Sequence, residues 1–460
     1  MNTSSNDDSR FLQRRNSSPD NSYYSEHTGE QRHIEGGNGA KLTKRRHTKN
    51  RKYEEHSRRG LRQAQDLVRR KQYVPICFVD FEMFINKIGL GTFYPEKMQL
   101  SDVNNIKANE TARNVKGIAT IFIRNLIMIN FTCRDKLLEE YINDIPLTES
   151  ESVESGDYID MLFGNQDDTN YNIVNPLDLI LAVYKCSSPM LKQILSAKLS
   201  MCQLAIPFMF PAIETDAMKV SLWSLRSLVI DRRTGNSSFQ NIAVDCPCQV
   251  VSFIRFGRPS VSKSKLINEI LTDQYHNTFF NKDCPLGTTK RILSDGLVEV
   301  AWYLPTGKSS VLNEVCMFLN LRGDGEILAD QVEFVSTISS VVVIVIETTN
   351  LDNPDAQQII HDIQKANNGV ILAIDAKKES KESFRKTWQT YSGKNPHFEK
   401  QTNCIILSID DQDKSFALIK KEMRNKIKDL ITEKKKLSIS ERLCVCSAEK
   451  DENNDIFSSF

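Results

Sequence analysis

The sequence predicts an α/β fold with a doubly wound, mostly parallel sheet, preceded by a mostly α-helical domain and a disordered N-terminal tail. Three observations predict it. After residue 246, β-rich runs alternate with amphipathic helical runs. The Val/Ile run at 341–346 suits a strand buried on both faces. Residues 1–72 have too few large apolar side chains to form a core. We therefore divide the chain into a tail over 1–72, a helical region over 73–245, an α/β domain over 246–440 and a C-terminal tail over 441–460.

The N-terminal tail is basic in its second half, at 44–46, 51–52, 58–59 and 69–71. Such clusters fit either a nuclear-import or nucleic-acid-binding patch or an ordinary solvated tail. Tyr53 is the one aromatic residue among these charges, which gives base stacking little support. The net charge of +1 adds no general attraction for nucleic acid. We favour the solvated tail and do not expect a nucleic-acid partner.

The region 73–245 carries apolar residues at helical spacing over 81–88 and 113–131. Asn175 and Pro176 make a good helix start, since proline at the first turn loses no hydrogen bond. A second helix is predicted over 189–203. No apolar run reaches the roughly 20 residues of a membrane helix, so no membrane span is expected. The eleven cysteines lack disulfide-framework or zinc spacing and indicate thiols in a reducing compartment.

The α/β domain is predicted to place a binding site at the carboxyl ends of its strands, as doubly wound sheets do. Predicted strands cover 250–256, 297–304, 315–319, 341–346, 370–374 and 404–407. Predicted helices cover 263–271, 330–338, 354–366, 382–391 and 414–434.

The first predicted strand leads into G-R-P-S-V-S-K-S at 257–264. This fits the phosphate-loop pattern G-x-x-x-x-G-K-[ST] of P-loop NTPases, except that Ser262 replaces the second glycine. The amino end of the following helix attracts anions. Lys263 would reach the β- and γ-phosphates, and Ser264 would bind Mg²⁺. An ordinary surface turn is the alternative, and the Cβ of Ser262 predicts weaker binding. The candidate phosphate-binding residues are Gly257, Ser260, Val261, Ser262, Lys263, Ser264 and Lys265.

Two later segments lie where a GTPase contacts the γ-phosphate. Thr289, in the Gly-Thr-Thr-Lys run at 287–290, is a candidate to complete the Mg²⁺ shell in a switch loop. The third strand leads into N-L-R-G at 320–323, where many GTPases have D-x-x-G. Gly323 would meet the γ-phosphate, whereas Asn320 could bind a metal-bound water but adds no charge. Asp324 is a nearby substitute carboxylate. The candidate metal ligands are Ser264, Thr289 and Asn320, and the missing carboxylate predicts weak Mg²⁺ dependence or poor hydrolysis.

The fifth strand is followed by A-K-K-E at 376–379, a degenerate form of the guanine-reading motif N-K-x-D. Glu379 could accept hydrogen bonds from the guanine edge, and the stem of Lys377 could lie along the base. A charged helix start explains the same residues, so guanine specificity stays open on this motif.

Several of these segments resemble the very large inducible GTPase family. The phosphate loop does so over 253–257 and 262–268, and further matches lie at 221–226, 295–305 and 320–324. Upstream, 90–98 and 175–180 resemble the region before the family's GTP-binding domain. The resemblance covers about residues 80–440, and within it Ser262 and Asn320 look normal. It implies that GTP or GDP binds with Mg²⁺ and that the protein is cytoplasmic and nuclear. Family members are usually much longer.

Three hypotheses follow. The first is a GTP-binding domain with slow hydrolysis that acts as a conformational switch. The second is a non-catalytic scaffold of the same fold that acts through protein contacts. The third is nucleic-acid binding through 41–71, which would fall steeply with salt. No arginine finger or water-positioning glutamine can be identified. Protein partners and homo-oligomerisation are left open.

Overall fold

The computed structural model describes residues 78–107, 115–137, 174–213, 217–234, 237–274, 276–305, 310–366, 369–394, 404–409, 412–432, 434–444 and 449–450. All of them belong to the compact unit Ala64–Phe460. The predicted N-terminal tail with its basic clusters, and residues 451–460, lie outside the described part of the chain.

Within the described residues, ten strands form one sheet, and two more form a separate antiparallel hairpin. In chain order the strands are β1 (Ile206–Pro211), β2 (Met218–Val220), β3 (Val229–Thr234), β4 (Ser237–Ile242), β5 (Gln249–Phe256), β6 (Val298–Tyr303), β7 (Cys316–Leu321), β8 (Val341–Glu347), β9 (Gly369–Ala376), β10 (Cys404–Ile409), β11 (Gln412–Asp413) and β12 (Glu449–Lys450). The order in the large sheet is β11-β10-β9-β8-β5-β7-β6-β1-β2-β12, and β3 pairs with β4.

The centre of the large sheet is parallel. Strand β5 pairs in parallel with β7 on one side and β8 on the other, and β9 and β10 continue the parallel half. Strand β6 is antiparallel to both β7 and β1. From β5 the chain first builds β6 and β7 on one side and then crosses to β8, β9 and β10 on the other. The order therefore reverses at β5, and the carboxyl end of β5 is the switch point where such sheets bind ligands. The predicted doubly wound, mostly parallel α/β fold is confirmed.

The described helices flank this sheet and precede it. They are α1 (Phe78–Lys87), α2 (Leu100–Asn104), α3 (Ile118–Ile127), α4 (Pro176–Cys186), α5 (Pro189–Met201), α6 (Lys263–Leu271), α7 (Ala329–Ile338), α8 (Thr348–Leu351), α9 (Pro354–Lys365), α10 (Lys381–Lys394), α11 (Phe416–Thr432) and α12 (Ile439–Leu443). Three short 3-10 helices cover Gly91–Phe93, Val115–Gly117 and Trp223–Ser227. Helix α6 begins and ends where the sequence predicted. Within the described ranges, no helix is long and apolar enough to cross a membrane.

Alternate residues of β8 pack into two different cores, as a strand buried on both faces must. Val343 and Val345 join a cluster with Leu266 of α6 and Ile427 of α11. Ile344, on the opposite face, joins the cluster that includes α7 and α9. The helix α6 that follows the candidate phosphate loop is therefore anchored directly on the sheet.

The described part of region 73–245 contains four strands that the sequence analysis did not predict. Strand β1 is fully buried and pairs antiparallel with β6. It contains Pro207 and Pro211, and proline is tolerated at irregular points of a sheet. The β1–β6 register does shift between Pro207 and Met209. The sheet therefore crosses the division drawn between residues 245 and 246, which itself stays a prediction about domains.

Candidate functional site

The loop 257–264 joins the carboxyl end of β5 to α6, at the switch point of the sheet. Gly257 has φ +70°, and a Cβ there would lie 2.8 Å from Asn350 Oδ1, so this corner favours glycine. The Gly257 N–H donates to the two carboxylate oxygens of Asp324, at 3.3 and 3.2 Å. Asp324, predicted as a substitute metal carboxylate, thus holds the start of the loop.

Ser262, the departure from the phosphate-loop pattern, is the N-cap of α6. Its backbone is extended, with φ −68° and ψ 115°, and its hydroxyl accepts from the Lys265 N–H at 3.4 Å. An extended φ needs no glycine, and a serine cap binds one of the otherwise unpaired N–H groups at the helix start. The serine is therefore a stable substitute for glycine in this chain.

The middle of the loop is tied to β9 by Asp375, a residue that the sequence analysis did not single out. The Ser260 N–H donates to its buried carboxylate, as does the Ser408 hydroxyl from β10, and the Lys377 N–H donates at 3.1 Å. Burial raises the pKa of Asp375, but the hydrogen bonds from Ser408 and Ser260 outweigh it, so its pKa lies below the ordinary value. Asp375 therefore stays ionised at neutral pH and fixes the loop.

Lys263 is buried beneath the loop and reaches the ends of neighbouring strands. Its ammonium donates to Asn320 Oδ1 at 2.6 Å, to the carbonyl of Leu321 and, at 3.4 Å, to the carbonyl of Phe253. Burial, followed by the charges of Arg322 and other cations, holds the pKa of Lys263 well below its ordinary value. A phosphate beside this ammonium would relieve that cost.

Ser264 belongs to a buried network that the sequence analysis did not foresee. Its hydroxyl accepts from Asn320 Nδ2 at 3.2 Å and from Arg322 NH1 at 2.9 Å. Arg322 NH1 also donates to the carbonyl of Phe280 at 2.7 Å, and Arg322 Nε pairs with Glu299 of β6. The clue available in the sequence was a pair of charged residues, Glu299 and Arg322, in otherwise apolar strand segments.

A cavity of about 490 Å³ opens beside these residues. This is within the usual size of a ligand pocket. Among the described residues that line it, the charged ones are Arg255, Lys263, Lys282, Lys290, Arg291, Arg322 and Asp295. The one acid of this set, Asp295, forms an ion pair with Arg291 at 2.7 Å. The cavity is therefore strongly positive and suited to an anion.

The predicted switch segment forms another wall of this cavity and is held by the start of α4. Asn175 Nδ2 donates to the carbonyl of Thr289 at 2.8 Å. The buried carboxylate of Asp178 accepts the N–H groups of Ile292, Leu293 and Ser294 at 2.6, 3.0 and 2.8 Å. Residues from the region before 246 thus build part of the site.

The structure brings some of the predicted site residues together and leaves others apart. Those that line the cavity are Ser260, Val261, Ser262, Lys263, Ser264, Thr289 and Gly323. Asn320 lies directly behind them, in contact with Lys263 and Ser264. Gly257, Lys265, Lys377 and Glu379 are not in the lining. Lys265 pairs instead with Asp283 at 2.7 Å, and Glu379 accepts from the Ser383 hydroxyl at 3.1 Å. These site assignments stay predictions.

A larger cavity of about 810 Å³ lies elsewhere, around Met201, Val229 and Trp302. It contains none of the predicted site residues. Its lining is mixed and is not concentrated in basic groups. We therefore place the candidate site at the smaller, basic cavity.

The residues predicted to bind Mg²⁺ do not fit a divalent cation in this arrangement. Mg²⁺ demands near-octahedral oxygen ligands and usually a carboxylate. The amide oxygen of Asn320 faces the ammonium of Lys263, and its nitrogen donates to both Glu299 and Ser264 at 3.2 Å. Because an ammonium and a carboxylate lie at opposite ends of the amide, this orientation is fixed. Two donors therefore point at the Ser264 hydroxyl, where a cation would need acceptors.

Comparison with known proteins places the chain in a family. The model of the up-regulator of cell proliferation-like domain matches residues 174–458. Interferon-induced very large GTPase 1 of Mus musculus is 25% identical over 327 residues, 65% of this chain and 13% of that protein. Up-regulator of cell proliferation of Homo sapiens is 30% identical over 287 residues, 56% of this chain and 30% of that protein. The chain spans less than a third of either relative.

A crystal structure of Era from Aquifex aeolicus, bound to GDP and AlF4⁻, aligns with 39% of this chain and 57% of that one. The sequence identity is 17% and the TM-score is 0.27. A likeness this low adds no argument about the site. The family model, by contrast, covers more than half of the 460 residues and includes the whole described sheet. The chain therefore belongs to the family of the up-regulator of cell proliferation and the very large inducible GTPases.

Proposed function

We propose that this chain binds GTP and GDP, with the phosphates in the basic cavity between the 257–264 loop and the 287–295 segment. The observation that carries the proposal is the buried Lys263 at the switch point of the sheet, surrounded by further cations and by the amino end of α6. Phosphate at a helix amino end, next to a lysine, is bound by both the dipole and the charge. Guanine rather than adenine is proposed from the family, two of whose members are named GTPases.

We propose further that hydrolysis is slow and that the nucleotide state acts as a switch. Thr289 and Gly323 both line the cavity and would sense the γ-phosphate. Hydrolysis needs a group that orients the attacking water, and within the described lining no glutamine is present. Because Asn175 and Asp178 hold the segment that carries Thr289, a γ-phosphate-dependent shift of this segment would reach α4 directly. We place this switch in the cytoplasm and nucleus, as the resemblance implies.

The test is equilibrium binding of fluorescent GTP, GDP and ATP analogues to the full chain. For Lys263→Ala we expect about a 10- to 100-fold loss of affinity, the value of one hydrogen bond to a charged group. Lys185→Ala is the matched control, because Lys185 is also a buried lysine that donates to a backbone carbonyl, that of Pro211, outside the cavity. It should lower stability without changing nucleotide affinity. Equal affinities for GTP and ATP would refute guanine selectivity.

A non-catalytic scaffold is the second candidate, and one observation favours it. The Lys263 ammonium already has three acceptors within the protein, so the hydrogen bonding of this side chain is satisfied without phosphate. A scaffold of this kind would bind its protein partners equally well with and without nucleotide. Absence of nucleotide binding by a folded sample at high protein concentration would favour the scaffold over the nucleotide-binding switch.

A further inference from the structure

We propose that Arg322 takes the place of the divalent cation in this site, so that the chain binds guanine nucleotide without Mg²⁺. The inference rests on the proposed nucleotide binding and goes beyond it by assigning the charge that neutralises the phosphates. It starts from the disagreement described above between the predicted metal ligands and the donor groups that surround Ser264.

The guanidinium of Arg322 is built into the wall of the cavity. The side chain is buried, and three of its contacts are fixed: Glu299 at Nε, and Ser264 and the carbonyl of Phe280 at NH1. The remaining nitrogen, NH2, is buried and has no hydrogen-bond partner among the described residues. A guanidinium is always charged and donates well to phosphate oxygens. Arg322 lines the cavity and carries this unpartnered donor on the same guanidinium whose NH1 contacts the Ser264 hydroxyl, where a metal would be expected.

The local charge balance favours an anion and disfavours a dication. Glu299, the carboxylate nearest to Ser264 in this network, is already neutralised by Arg322. Asp324 instead accepts from the Gly257 N–H at the start of the loop, and Asp295 forms an ion pair with Arg291. Arg255 also lines the cavity, and its Nε has no hydrogen-bond partner among the described residues. A dication would add two charges to this excess, whereas phosphates would reduce it.

Arg322 cannot leave this position easily. A metal ion bound to Ser264 would displace the guanidinium that now donates to the same hydroxyl. Glu299, which is 3% exposed, would then lose its ion-pair partner. Leaving one member of a buried ion pair without its partner is strongly destabilising. The buried ion pair with Glu299 therefore keeps Arg322 at the position that a cation would otherwise occupy.

The experiment compares binding of fluorescent GDP and GTP analogues to the full chain in excess Mg²⁺ and in excess EDTA. We expect the dissociation constants to differ by less than about threefold between the two buffers. A loss of about tenfold or more in EDTA would overturn the inference while leaving the proposed nucleotide binding intact. Absence of binding in both buffers by a folded sample would overturn both.

A double variant tests the role of Arg322 itself. Glu299→Gln with Arg322→Gln removes both charges together and so avoids an unpaired buried carboxylate. In EDTA we expect it to lose about 10- to 100-fold in affinity for the GTP analogue. Asp273→Asn with Arg424→Gln is the matched control, since Arg424 also pairs with a carboxylate and bonds backbone carbonyls, at the far end of α6. Unchanged affinity in a folded Glu299/Arg322 variant would overturn the inference. If that variant does not fold, the Mg²⁺/EDTA comparison with the wild-type chain alone decides whether the inference stands.

Discussion

Asp178→Ala should lower both the stability of the protein and the order of the switch segment. Its carboxylate is 0% exposed and accepts three backbone N–H bonds, from Ile292, Leu293 and Ser294. At about 1.5–3 kcal/mol for each bond to a charged group, the sum would be roughly 5–9 kcal/mol. Burial, however, raises the pKa of Asp178, because the ionised carboxylate is taken out of water. We therefore expect a net loss of about 2–4 kcal/mol in the free energy of unfolding.

The loss is measured by urea denaturation, and the local effect by hydrogen exchange of the three amides. The N–H groups of Ile292, Leu293 and Ser294 should exchange faster in Asp178→Ala than in the wild type, under conditions in which both proteins stay globally folded. Asp102→Asn is the control, because Asp102 also accepts a backbone N–H, that of Gln99 at 2.7 Å, but on an exposed helix end. It should cost about 1 kcal/mol or less. If Asp178→Ala cost no more than the control, the switch segment would not depend on α4.

Two further predictions concern the loop and the turn that face the cavity. Gly323 has φ +97°, and a Cβ there would lie 2.8 Å from Leu328 Cδ1, so Gly323→Ala should cost about 1–3 kcal/mol in urea denaturation. Gly393→Ala, in α10 with nothing within 4 Å, should cost nothing and gain up to about 1 kcal/mol; equal effects at both positions would contradict this reasoning. Nucleotide affinity should fall by at most about tenfold per pH unit as the pH rises through the lowered pKa of Lys263, because the bound phosphates favour the ammonium. Lys263→Arg should show no such fall, since arginine stays charged, and a flat profile in the wild type would refute the mechanism.

The sequence was sufficient for the parts of the fold that depend on local pattern. The continuous Val/Ile run of β8 is rich in β-branched residues and suits a strand covered on both faces, and α6 begins directly after its own cap, Ser262. Strand β1 could not be predicted in the same way. Its six residues contain two prolines, and beside a short pairing with β2 its place in the sheet depends on pairing with β6, about ninety residues later in the chain. Long-range pairing of this kind leaves no local signal.

The same distinction holds for the site. Lys263, Ser264 and Gly323 follow from motif spacing, and the structure places all three on the cavity. Arg322 and Glu299 could not be assigned, because a charged residue in an otherwise apolar segment does not reveal its partner until β6 and β7 are laid side by side. The register of β6 and β7 puts Glu299 opposite Asn320. Arg322, two residues after Asn320, is then close enough to form the buried ion pair with Glu299. Buried charges need such partners, so they are predictable only after the strand pairing is known.

The candidate site is held together from several directions, and this bears on how it could act as a switch. Asp324, in the turn after β7, fixes the start of the phosphate loop, and Asp375, in β9, fixes its middle. These contacts do not involve the γ-phosphate side and should persist in every nucleotide state. Asp178 holds the opposite wall from α4, outside the central sheet. We therefore propose that a change of nucleotide moves the 287–295 wall and leaves the phosphate loop in place. In this proposal α4 reports the movement of the 287–295 segment, because Asn175 and Asp178 hold that segment.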